Sequence, residues 1–242
     1  MAGVGVASLL QGSIVRVASA SVLPASALRG RLDMPGGRLP FPVAEPLAPL
    51  LPNGGLRRGS VVAVRGSTVL LLALLAAATT QGVWAAVVGV DDLGVLAAAE
   101  AGIVVRRLAL IPRPGPDPAR AIAALLDGMG LVALTGADRM SSRARRSLTA
   151  RARQCGAVLL PIGRWPGADV ELDCRAEAWR GPEAGHGRLR SREVVVRAVG
   201  RGVAARPRIA RLLLPGPGGA VAETLADLTP TIRAGGAIRV VG

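Results

Sequence analysis

The chain contains no lysine; all thirty of its basic residues are arginine. That excludes Schiff-base chemistry and any lysine reaching for a phosphate. Tyrosine is also absent, and one Phe and three Trp make up the whole aromatic complement. The core must therefore be built mostly of Ala, Val, Leu and Ile. There are two cysteines, Cys155 and Cys174, and a single histidine, His186. Three soft ligands without a CxxC pair argue against a structural zinc site, and they indicate no disulfide framework. The longest apolar run, Val69–Ala78, is too short to span a bilayer and reads as a buried helix. The first residues lack the charged start of a signal peptide. A soluble, cytoplasmic protein with no membrane partner is expected.

What is present is apolar and basic. Half of the 242 residues are apolar, enough for one substantial core. Sixteen acids leave a formal charge of +14, which fits an acidic partner such as nucleic acid or a negative protein surface. A codon bias toward arginine accounts for the missing lysine but not for the net charge.

Residues 1–50 are rich in Pro, Gly and Ala and read as an arm laid over a domain. Residues 51–215 alternate short β-type runs with helical patterns, and residues 216–242 form a tail. Strands are expected at 60–65, 83–90, 107–111, 131–135, 157–162, 170–175, 193–199 and 209–214. Helices are expected at 68–80, 93–101, 118–128 and 141–154, with a short one at 220–228 in the tail. The early strands ("VVAV", "WAAVVGV", "LVAL", "AVLLPI") are unbroken apolar runs, as in a parallel sheet covered on both faces. The last three have no helix between them and are expected to pair antiparallel at one edge. The fold class is α/β.

The stretch "VVAVRGSTVLLLALL" has the strand–turn–helix outline of a phosphate-binding loop, with Gly66, Ser67 and Thr68 in the turn. A working loop needs a glycine-rich backbone nest, a lysine and a Mg²⁺-binding hydroxyl. This turn is too short for the first and lacks the second. After the apolar "LVALT", Thr135 stands where a Mg²⁺-organising aspartate is wanted, and Asp138 follows three residues on. Asp91 and Asp92 end another strand, where paired acids usually cap a helix.

"LPNGGLRRGSVVAVRG", the spacing of "QGVWAAVVGVDD", "MGLVALTGAD" and the helix after it, and "ADVELDCRAEAWRG" together resemble the RecA core over roughly residues 50–215. With its departures the chain is most similar to the RecA-related accessory protein of the bacterial mutagenesis cassette, the actinobacterial ImuA-prime type. The resemblance implies a RecA-like, P-loop-NTPase-like sheet whose nucleotide site is degenerate, with no ATP hydrolysis and no cofactor, neither ATP nor Mg²⁺. It implies a non-catalytic adaptor in SOS-induced error-prone translesion synthesis. The implied partner is a Y-family-polymerase-like protein of the ImuB type and, through it, an error-prone DNA polymerase. The segments at the places of the family's two DNA loops, "TGADRMSS" and "PIGRWPGAD", are short. A weak DNA-dependent ATPase and a basic nucleic-acid-binding module are the other function classes.

Six arginines lie between Arg139 and Arg153. On a helix Arg139, Arg143, Arg146 and Arg153 fall near one face, with Met140, Ala144, Leu148 and Ala152 near another, and Asp138 or Ser141 available as a cap. The arginine face reads either as a phosphate-contacting stripe or as the solvated side of a surface helix. Trp165 and Trp179 read as interface anchors or as packing beneath loops. In the tail, Val221, Leu225 and Leu228 share a helical face and Ile238 and Val240 close an apolar end. Such a tail docks on its own domain or adds to a partner.

Overall fold

The computed structural model describes residues 39–180 and 191–224, with the backbone of residues 16–17 and 240–241. His186, Leu225, Leu228 and Ile238 lie outside the described residues. Eight strands of four or more residues run in chain order: β1 (Val62–Arg65), β2 (Ala85–Val88), β3 (Leu108–Ile111), β4 (Leu131–Leu134), β5 (Val158–Pro161), β6 (Val170–Arg180), β7 (Ser191–Gly200) and β8 (Arg208–Leu213). Four helices separate the early ones: α1 (Thr68–Thr80), α2 (Val95–Glu100), α3 (Pro118–Leu126) and α4 (Ser142–Cys155). All eight expected strands and the four core helices are present, with ends shifted by a few residues at most positions.

The spatial order is β3-β2-β4-β5-β1-β6-β7-β8. β2 pairs in parallel with β3 and β4, β4 with β5, and β1 with β6. Single parallel bridges, Val61 to Leu159 and Val64 to Ile162, join β1 to β5. β7 is antiparallel to β6 and β8 to β7, so the edge is the expected meander. The sheet's halves take opposite patterns for one reason. β2, β3 and β4 are buried along their whole length, with apolar contacts on both faces, whereas β8 alternates exposed and covered residues.

Alternation along each strand sorts the core into two layers. Val62 and Val64 face α1 and α2, together with Leu47 and Leu50 from the segment before β1. Val61 and Ala63 face α3, α4 and Trp165. α1 is apolar around most of its circumference because it lies between the sheet and that preceding segment. Leu70, Leu71, Leu74 and Leu75 are fully buried, each stabilising the fold by about 1.5–3 kcal/mol. α3 and α4 lie on the surface and bury one face only. α3 starts at Asp117, whose carboxylate accepts the Arg120 N–H, with Pro118 in the first turn. α4 starts at Ser141, whose hydroxyl accepts the Ala144 N–H at 3.1 Å, and ends at Gly156 in the left-handed region. The cap is thus Ser141, not Asp138.

Between β5 and β6 the chain returns to the other end of the sheet without a helix. Trp165 in this connection, 1% exposed, packs in the core layer beneath α3 and α4, and its indole N–H donates to the Thr149 hydroxyl at 3.3 Å.

Two expectations are corrected. The tail helix at 220–228 does not form over its described part. Pro217–Gly219 makes a 3-10 turn, and Ala222–Glu223 pairs antiparallel with Leu212 and Leu213 of β8. The open backbone groups of the edge strand outcompete helical periodicity there. Asp91 and Asp92 do not cap α2, which begins three residues later with Gly94 in the cap position.

Candidate functional site

β1 ends at the carboxyl edge of the parallel sheet, where ligands of α/β folds bind. Its continuation, Gly66-Ser67-Thr68, is held down rather than open. Gly66 has φ +80°, and a Cβ there would stand 2.1 Å from the carbonyl oxygen of Cys174 on β6. Only glycine permits that contact in that conformation.

Ser67 caps α1, its hydroxyl accepting the Leu70 N–H at 3.1 Å. The same hydroxyl accepts from Arg192 Nη2 at 3.2 Å. Arg192, from the start of β7, also donates through Nε to the Leu214 carbonyl at 3.1 Å and lies 5.2 Å from the Trp179 ring centroid. Cys174 completes the cluster. Burial pushes its thiol above the usual range, and the hydrogen bond to Ser67 and the Arg192 charge partly offset this. The polar groups at the head of α1 thus serve one another. A guanidinium from the meander does the positioning, at a place unconnected with the missing lysine in sequence.

Thr135, at the end of β4, is likewise engaged. The Thr135 N–H donates to the Val88 carbonyl at 3.0 Å, and its hydroxyl donates to the Gly89 carbonyl at 2.6 Å. Thr135 therefore clamps β4 to β2 across their carboxyl ends. Asp138 is exposed in a 3-10 turn, and Asp91 and Asp92 are exposed beyond β2. Among the described residues no three His, Cys, Asp or Glu side chains converge on a common point that could hold a metal ion.

Five of the six arginines lie on α4, whereas Arg139, expected on the same helical face, ends the 3-10 turn before it; the six divide by role. Arg145 folds back onto the carbonyls of Ala137 and Met140, at 3.0 and 2.8 Å. Arg151 makes a bidentate pair with Asp127 of the α3 end, both contacts at 2.6 Å. Arg139, Arg143, Arg146 and Arg153 are exposed, opposite the buried Leu148 and Ala152. Cys155 also bonds Asp127, and burial followed by that hydrogen bond raises its thiol, which disfavours a reactive thiolate. Trp165 packs under its loop, and Trp179 lies half-buried beneath Arg192. Val221 packs partly against the core, and Val240 with Val241 pairs in parallel with Trp179 and Arg180 of β6.

Sequence reasoning missed Arg192, Cys174 and Leu214 as neighbours of the turn. No spacing links residues so far apart in the chain, because sheet pairing alone brings them together. Gly66 and Ser67 were legible from the strand–turn–helix pattern.

The family model described as the MT3502 N-terminal domain matches residues 49–167. That region runs from the segment before β1 through the Trp165 crossover and contains the turn and α4. A protein of Mycobacterium tuberculosis (strain ATCC 25618 / H37Rv), the uncharacterized protein Rv3395c, is 42% identical over 163 residues, which span 63% of this chain and 80% of its own length. No helix among the described residues is long and apolar enough to cross a membrane.

Proposed function

The chain belongs to the family of Rv3395c, and from that premise we propose that it is a RecA-like accessory protein that acts by binding rather than by catalysis. Its role in this reading is DNA damage tolerance in the cytoplasm, within error-prone translesion synthesis. Its partner is a Y-family-polymerase-like protein of the ImuB type, and through it an error-prone polymerase. The choice of pathway and partner rests on the sequence resemblance.

The observation that carries the non-catalytic part is the closed turn. A strand at the middle of the sheet leads into α1 as a phosphate loop does, yet Ser67 is bonded to Arg192 and Gly66 lies against Cys174. Thr135, in the metal-organising place, gives its hydroxyl to a backbone carbonyl. An incoming phosphate would have to displace these bonds without help from a lysine.

Two measurements test the reading. Titration with a fluorescent ATP analogue and Mg²⁺ is expected to show no saturable binding; micromolar, Mg²⁺-dependent binding would establish the ATPase alternative instead. Co-purification with a Y-family-polymerase-like partner is expected for the full chain. If neither the full chain nor a version ending after Thr224 captures it, the adaptor role is wrong.

A further inference from the structure

The parallel strands all start on one side of the sheet, and the antiparallel β7 ends there. Several arginines of this amino edge are used within the fold. Arg58 lies 4.2 Å from the Phe41 ring centroid and donates to the Leu39 carbonyl. Arg107 donates to the Gly82 carbonyl at 2.6 Å, and Arg151 is paired with Asp127. Five others present themselves to solvent: Arg106, alone before β3 at the far end of the sheet, and Arg57, Arg153, Arg201 and Arg206.

The last four lie along one strip. Arg57 precedes β1, and Gly59 packs against the Arg153 backbone, so both flank the start of that strand. Arg201 follows β7, donates its N–H to the Asp169 carbonyl, and lays its guanidinium near Gly167. Arg206 precedes β8. From β1 to β8 is three inter-strand spacings, or about 14 Å.

Acids do not neutralise the strip. Asp169 is the acid within it, and its carboxylate is divided between the Val61 N–H at 2.9 Å and Arg57 at 3.1 Å. Arg153, Arg201 and Arg206 have no ion pair among the described residues. The loops of the opposite, carboxyl edge mix the two signs: Asp91, Asp92, Asp117 and Asp138 stand among Arg113, Arg139 and Arg164, all exposed.

We propose that the amino edge docks the phosphate backbone of double-stranded DNA. A duplex carries one charge per ~1.7 Å, so the strip faces on the order of eight of them. The aromatics near that edge are not offered as stacking platforms for separated bases. Phe41 is 3% exposed, Trp165 1%, and Trp84 carries Arg107 over its ring. Backbone contact to a duplex is what remains, on the side of the sheet away from the closed turn. The choice of DNA over RNA rests on the accessory reading above, whereas the phosphate chemistry is independent of it.

Fluorescence anisotropy of a short labelled DNA duplex with the full chain tests this. Four arginine–phosphate contacts predict a log–log salt slope of about −3.6, hence roughly a hundred-fold loss between about 50 and 200 mM salt. The combined variant Arg57→Gln, Arg153→Gln, Arg201→Gln and Arg206→Gln is expected to flatten that slope to near zero. The same four changed to Lys should retain it, which separates charge from folding. Arg113→Gln with Arg139→Gln, at the carboxyl edge, should leave the slope unchanged.

A Gln variant that binds as tightly as the parent overturns the proposal. So does tighter binding of single-stranded DNA, duplex RNA or phosphatidylserine vesicles than of duplex DNA. Co-purification with the partner is read in parallel, and the Gln variant is expected to keep it. A chain that captures no partner but keeps the salt-dependent duplex binding sinks the accessory reading and upholds the docking edge.

Discussion

The two ends of the parallel sheet are made of the same strands and have opposite characters. At the carboxyl edge, polar side chains turn inward and bond one another: Ser67 with Arg192, and Thr135 with the Gly89 carbonyl. At the amino edge, Arg153, Arg201 and Arg206 are exposed and make no ion pair among the described residues. The end where an α/β fold ordinarily works on a ligand is closed by internal bonds, and the end that ordinarily serves only stability carries free charge. A turn closed at one edge thus leaves the other edge free to bind.

Substitutions at the two edges should therefore differ in kind. The largest stability effect is expected for Gly66→Ala. Its Cβ meets a backbone carbonyl in a left-handed conformation, and urea unfolding should show a loss of roughly 2–4 kcal/mol. A change below 1 kcal/mol would mean that the turn is looser than its contacts imply. Arg192→Ala comes next, at about 2 kcal/mol, since it removes charge-assisted hydrogen bonds to Ser67 and Leu214. It should also shift Trp179 fluorescence, and an unchanged spectrum would separate the guanidinium from the ring. Thr135→Val strips one hydroxyl from the β2–β4 clamp and should cost about 1 kcal/mol in the same assay. The amino-edge Gln variant should move stability least, by about 0.5 kcal/mol or less, because its side chains are exposed and its one ion pair is a surface pair. A loss as large as that of Arg192→Ala would mean that these arginines hold the fold.

Much of the fold was readable from short windows of sequence. The unbroken apolar runs announced strands covered on both faces, and the helix starts at Thr68 and Pro118 fell where the caps Ser67 and Asp117 put them. The tail was misread at Ala222–Glu223 because a helical spacing of apolar residues says nothing about a nearby open strand edge. Sequence grouped Arg139, Arg143, Arg146 and Arg153 on one helical face; all four are exposed, but Arg139 lies in the 3-10 turn before α4. Periodicity could not join Arg153 to Arg57, Arg201 and Arg206, which sheet order brings to one edge.

By itself the sequence determined what this protein lacks. With no lysine anywhere, no arrangement of the chain can rebuild a lysine-bearing phosphate loop, and the apolar strands and short turns dictate an α/β sheet from local physics alone. Only the tertiary structure decided what surrounds the turn. Arg192 reaches Ser67 because β7 pairs beside β6, and Cys174 lies under Gly66 because β6 pairs beside β1. The arginines of distant loops share an edge because parallel strands all begin on the same side. Those neighbours are set by strand order, a long-range property that no local pattern of residues encodes.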